Sequence, residues 1–201
     1  SNLFKLLEQK MKFTKNLLAG SFAVAALAGA MAPAANAEVA ASATVSSSYL
    51  WRGFDLGPGT PAVSGDIVAS SDSGFYGGLW ISSGDGTAGT EYDLFAGYGG
   101  EVGDFTYDIN LTSYVYPTGS VIKQEGNPGD FMEVIVSLGY GPVSFSYYDN
   151  IAGENGGYAP DEDYNYMTLS ADAGKWSFLL GSHDIPVGAK DATATDRKSV
   201  V

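Results

Sequence analysis

Between Phe131 and Tyr148 the chain alternates with period two. Met132, Val134, Val136, Leu138 and Tyr140 share one face and are all apolar or aromatic, while Phe131, Glu133, Ile135, Ser137 and Gly139 make a mixed face. Such alternation predicts a strand with one apolar side, because successive side chains of a pleated strand point to opposite faces. Turn residues at Gly139-Tyr140-Gly141-Pro142 break the run, and it resumes with Val143, Phe145 and Tyr147 against Ser144, Ser146 and Tyr148. The pair reads as a hairpin with a tight turn.

The same pattern recurs along the chain. Val39–Trp51, Ala62–Ser71, Phe75–Ser82, Glu91–Gly99 and Phe105–Tyr116 precede the hairpin, and Asp163–Ala171 and Trp176–Leu180 follow it, giving about nine runs. The clearest sets Phe105, Tyr107, Ile109, Leu111 and Val115 against Thr106, Asp108, Asn110, Thr112 and Tyr114. The connections alternate in length. Short ones (Asp72–Gly74, Gly100–Asp104, Gly139–Pro142, Asp172–Gly174) take turns with long ones (Arg52–Pro61, Ser83–Thr90, Pro117–Asp130, Asp149–Glu162). An antiparallel meander does this when its two ends face different surroundings, as in bacterial outer-membrane barrels with short periplasmic turns and longer outer loops. A soluble sandwich or barrel would bury the apolar face and needs no such asymmetry. The polar faces carry Ser, Thr, Asn, Asp and Glu but little Lys, which suits a lumen better than a solvated surface. The expected fold class is therefore all-β, an antiparallel up-and-down transmembrane β-barrel. Tyr49, Trp51, Tyr92, Tyr98, Phe105, Tyr107, Tyr140, Trp176 and Phe178 fall near run ends on the apolar face, where interfacial girdles are expected.

The N-terminal segment changes the compartment. After Met11, Lys12 and Lys15 precede an apolar stretch from Leu17 to Met31, and Ala35-Asn36-Ala37 fits a small-residue cleavage site. Residues 11–37 thus read as a signal peptide cleaved before Glu38, residues 1–10 as an upstream extension outside the fold, and residues 38–201 as the barrel domain. The apolar stretch is shorter than a spanning helix needs. The expected location is the bacterial outer membrane, with its lipid and the barrel-assembly machinery as partners. Cys is absent, so neither disulfides nor thiolate metal sites arise, and a net charge of −13 excludes nucleic acid as a partner.

Ser46 to Ser83 carries three short motifs: Tyr49-x-x-Arg52-Gly53, Pro61-Ala62-x-x-Gly65, and Ser73-Gly-Phe-Tyr-x-Gly-x-Trp80. Here the chain resembles the TorF family of bacterial porins. The motifs span the first three runs, and the rest agrees only in pattern. The resemblance implies an outer-membrane barrel with a porin function and offers no catalytic residues. Family members are expected to continue through more strands and end on an aromatic residue. Asp191 to Val201 shows no alternation, and nine is odd where single-chain bacterial barrels have even strand numbers. The barrel is thus expected to be incomplete at the C-terminus, with a gap between Val39–Trp51 and Trp176–Leu180.

Counting by parity, Arg52, Asp66, Asp93, Asp108 and Glu133 face the lumen. An arginine among carboxylates reads first as an ion pair bracing the interior, and second as a selectivity element. Gly77 and Gly78 suit close packing inside the barrel. His183 is the sole histidine. Ser182-His183-Asp184 is not a triad, which is a spatial arrangement, and an exposed loop histidine is expected. Asp161-Glu162-Asp163 reads as a solvated acidic loop, a weaker alternative being a cation site. Neither a cofactor, a metal nor catalysis is expected. The functional expectation is a passive pore for small hydrophilic solutes, with a preference for cations. The alternative is a non-conducting structural or adhesive barrel whose outer loops do the work.

Overall fold

The computed structural model of the chain describes residues 22–24, 37–86, 88–118, 131–153, 164–184 and 195–200. In chain order the strands are β1 (Phe22–Val24), β2 (Ala37–Ser46), β3 (Leu50–Trp51), β4 (Phe54–Asp55), β5 (Ala62–Ser71), β6 (Phe75–Asp85) and β7 (Gly89–Val102). They are followed by β8 (Phe105–Val115), β9 (Phe131–Tyr140), β10 (Val143–Gly153), β11 (Asn165–Ala173), β12 (Trp176–Asp184) and β13 (Thr195–Val200). Eleven of them form one antiparallel sheet in the order β1-β2-β5-β6-β7-β8-β9-β10-β11-β12-β13, and β3 and β4 pair separately. Each strand of the large sheet hydrogen-bonds to its neighbours in sequence once the β3–β4 hairpin is set aside, so the chain is a meander. Among the described residues there is no helix.

The polarity of the sheet is that of the alternation, with the apolar side facing out. Ile67, Leu94, Ile109, Leu111, Leu138, Phe145, Leu169 and Leu180 are all exposed, while Ser64, Thr112, Glu133, Ser137, Ser146 and Thr168 are buried on the opposite side. Hydroxyls on this inner side bond across strands, as between Ser137 and Ser146 (2.8 Å) and between Ser144 and Ser170 (2.6 Å). Gly78 belongs to the same side. A Cβ there would strike the Ile67 carbonyl and the Phe95 ring, so only glycine admits that ring. Tyr98, Phe105, Tyr140, Trp176 and Phe178 are exposed near the short turns.

Several expectations need correction. The first run ends at Ser46, not Trp51, because Ser46-Ser47-Ser48 supplies no apolar partner for the outer face and residues 47–61 fold inward instead. Tyr49 and Trp51 therefore belong to the interior, not to a girdle. The long connection Ser83–Thr90 is largely strand. β6 reaches Asp85 and β7 starts at Gly89, with a register shift after Ser82 that the positive φ of Gly84 and Gly89 accommodates. The last run continues to Asp184. Thr195–Val200, expected to be irregular, pairs with β12 from Ser182 to Ser177. β1 lies within the segment read as a signal peptide and pairs with β2 at Ala43–Val45. Cleavage before Glu38 would leave β2 as the first strand. The sheet is open, as the expected gap requires, but its edges are β1 and β13 rather than Val39–Trp51 and Trp176–Leu180: among the described residues, β1 and β13 do not pair with each other.

Candidate functional site

The interior of the sheet is occupied by the β3–β4 hairpin, whose turn is Trp51-Arg52-Gly53-Phe54. Trp51 pairs with Phe54 and Leu50 with Asp55. A two-residue link of type I′ needs positive φ at both central positions, and Arg52 (48°) and Gly53 (87°) supply it. Glycine adopts this at no cost. Arginine does not, and a non-glycine residue held there costs about 1–3 kcal/mol that its surroundings must offset. Backbone bonds seat the rest of the loop: Leu56 N–H donates to Tyr49 O (2.8 Å) and Gly86 N–H to Leu56 O (2.8 Å). Ser48 donates to the Asp55 carboxylate and lies 2.9 Å from Gly57 O.

What offsets the strain is visible around the guanidinium. Arg52 Nη1 donates to Glu133 Oε1 at 2.8 Å and Nη2 to Oε2 at 2.5 Å, a bidentate pair whose side chains are 7% and 0% exposed. Tyr114 donates to Glu133 Oε2 (2.7 Å). The guanidinium carbon lies 4.7 Å from the Trp51 ring centroid, 4.5 Å from Tyr148, 5.6 Å from Tyr164 and 4.8 Å from Tyr166. Aromatic faces attract a cation through their quadrupole, the more so when water is excluded. Burial alone would lower the pKa of Arg52. The charge and hydrogen bonds of Glu133, together with Tyr164 and Tyr114, outweigh it and hold the guanidinium charged above its ordinary range.

A ring of hydrogen bonds closes on the same turn. Arg52 Nη1 donates to Tyr164 Oη (3.0 Å), Tyr164 Oη lies 2.9 Å from His183 Nδ1, and His183 Nε2 lies 2.9 Å from Arg52 O. A carbonyl only accepts, so Nε2 carries a proton. With Nδ1 accepting from the tyrosine, every member of the ring is satisfied by a neutral imidazole. His183 is thus a buried part of β12, contrary to the exposed loop position expected from sequence.

Beside the hairpin lies a second acidic group. Glu91 is 1% exposed and accepts hydrogen bonds from Tyr49 and, at 2.7 Å, from Tyr116. Burial, then the Glu91 carboxylate, push the Tyr49 hydroxyl well above its usual range and keep it a donor. Asp93, two residues along and on the same face, is 9% exposed, and its Oδ1 has no hydrogen-bond partner. Among the described residues no ion pair reaches Glu91 or Asp93.

Of the five residues expected to face the lumen, all lie on the polar side, but in different company. Arg52 and Glu133 are joined, though Arg52 arrives on an inner hairpin and not on a sheet strand. Asp93 sits near them. Asp108 accepts from Tyr76 (2.8 Å) further toward the short turns, and Asp66 accepts from Ser42. Sequence reasoning left out Glu91, although its two-residue offset from Asp93 would have found it. Alternation put Tyr148 on the polar face, but nothing local marked Tyr148, Tyr164 or Tyr166 as partners of Arg52. Asp161-Glu162-Asp163 lies outside the described residues, among which no cluster of three or more His, Cys, Asp or Glu is placed to hold a metal ion.

The chain belongs to a bacterial family of unknown function, described as "Bacterial protein of unknown function (Gcw_chp)", whose model matches residues 30–198. No curated protein and no solved structure matches it.

Proposed function

We propose that this member of the Gcw_chp family is an outer-membrane β-barrel protein that passes small hydrophilic solutes, cations ahead of anions, around an inner hairpin fixed by Arg52. One observation carries the reading: the sheet wears its apolar face outward and buries its polar face. Among the described residues twenty-four large hydrophobic side chains are exposed, all but Leu50 of them on the large sheet, including Val63 (56%), Ile67 (54%), Ile109 (51%) and Leu180 (52%). Monomeric soluble proteins rarely expose contiguous apolar patches beyond a few hundred Å². In lipid that arrangement is the stable one, and strands of about 9–11 residues suffice to cross. Strands β5, β6 and β8 to β12 have 9 to 11 residues. The resemblance to TorF porins and the leader-like N-terminus support the same location, reached through export, cleavage and the barrel-assembly machinery. Closure of the sheet into a barrel is part of the proposal.

A second reading keeps the location and drops the pore. Tyr114, Tyr116, Phe131, Tyr164 and Tyr166 form a buried cluster with Ala88, against which Trp51 and Tyr148 pack. An interior filled in this way suits a non-conducting structural or adhesive barrel. Two measurements decide. Fractionation is expected to place the protein in the outer membrane, extractable only with detergent, and recovery as a soluble periplasmic protein overturns both readings. Planar-bilayer recording then separates them, since ion conductance is expected only of the pore.

A further inference from the structure

Arg52 and Glu133 cancel. Their bidentate contact is buried and leaves no net charge to act on a solute. Glu91 and Asp93 have no such partner: no ion pair reaches either among the described residues. Glu91 is held between two donors, the hydroxyls of Tyr49 and Tyr116. Asp93 Oδ1 is buried on the same face without any partner. A buried acceptor left open is costly unless something else satisfies it. The donors available are carboxylate and hydroxyl oxygens, which suit hard inorganic cations. They fall short of a metal cage, since no three-member ligand cluster is present among the described residues. A site with that donor set binds weakly and exchanges, as conduction requires.

We propose that Glu91 and Asp93 form an exchangeable site for a permeating inorganic cation beside the hairpin, and that they, not Glu133, set the charge preference of the pore. The proposal rests on the porin reading for its role and on the geometry alone for binding. Expected from sequence were five lumen-facing charged residues, Arg52, Asp66, Asp93, Asp108 and Glu133. Pairing removes Glu133 from that set, hydrogen bonds from Tyr76 engage Asp108, and Ser42 engages Asp66.

The local aromatics supply a test of binding that needs no current. Trp80 lies directly across from Asp93 in the β6–β7 ladder, with its ring 6.1 Å from that of Tyr49. Terbium(III), a hard oxygen-seeking ion, should show saturable luminescence sensitised by these rings, and calcium should compete for it. The Glu91→Gln/Asp93→Asn double variant is expected to lose at least five-fold of that signal. Asp72→Asn, at an exposed turn, is expected to titrate as the unaltered chain does. Asp93→Asn alone is isosteric and serves where the double variant folds poorly. A titration unchanged by these substitutions overturns the site. In bilayers under a KCl gradient, the same variants should lose at least half of the cation preference, and an unchanged reversal potential overturns the selectivity role. A chain that titrates as expected but carries no current upholds the site and overturns the porin reading.

Discussion

Glu133 accepts hydrogen bonds from both terminal nitrogens of Arg52, a residue 81 positions earlier in the chain, and the contact is closed to solvent. It ties an inner hairpin to the middle of the sheet. Removing one partner leaves the other charge buried and unpaired, which costs about 3–5 kcal/mol. Arg52→Ala and Glu133→Ala should each lower stability by that order in detergent unfolding. The double variant should lose less than the sum, because residues in direct contact are coupled. Additive losses would show that the two side chains act independently.

The outward apolar face gives a second expectation. The chain has no cysteine, so single cysteines can be placed without a background. Positions 94, 111 and 138, where leucines are 41–43% exposed, should react with a lipid-soluble probe. Positions 108, 112 and 137, on the inner face, should not. Leu111→Arg should cost about 2–4 kcal/mol if the residue sits near the bilayer midplane. Reversed labelling would place the chain one residue out of register, since such a slip exchanges the two faces of every strand.

The sheet was legible in the sequence because each strand is half buried, and half burial writes itself as period two. Hence the hairpin of β9 and β10 was readable to its register, with Ser137 facing Ser146 and Tyr140 facing Val143. Segment 47–61 was not legible. Its conformation is decided by Arg52 meeting Glu133, Tyr164 and His183, contacts that span 81 to 131 residues and leave no local period. Parity put Arg52 on the correct side for the wrong reason, by extending β2 five residues past its end at Ser46. His183 misled for a related cause. Reading β12 as ending at Leu180 placed the histidine in a loop, whereas β12 continues to Asp184 and points it inward.

The ring through Tyr164 and His183 fixes a tautomer. His183 Nε2 faces the carbonyl of Arg52 and Nδ1 faces a hydroxyl, so a neutral ring protonated at Nε2 satisfies both. Imidazole nitrogen NMR of the labelled protein at neutral pH should show Nε2–H with Nδ1 bare. His183→Phe keeps the ring packing but frees the carbonyl, at an expected cost of about 1–3 kcal/mol. An Nδ1–H signal would show instead an imidazolium that donates to both Tyr164 and the Arg52 carbonyl, or an imidazole ring turned over.

The hairpin itself sets the last expectation. β3 and β4 have two residues each, too few to stand alone, since even longer isolated hairpins are marginal in water. It holds its place through side chains: Arg52 with Glu133 and the four rings, and Tyr49 with Glu91. If solutes pass the interior, they pass this hairpin. Replacing Leu50–Asp55 by a short Gly-Ser link should therefore raise single-channel conductance at least two-fold. Arg52→Ala, which leaves the hairpin present but unlatched, should instead give noisy openings between the original and the enlarged level. The variant lacking the hairpin should lose that noise, because the moving part is gone. Conductance indifferent to both changes would place the conducting path away from Arg52, and the hairpin would then be a brace for the fold alone.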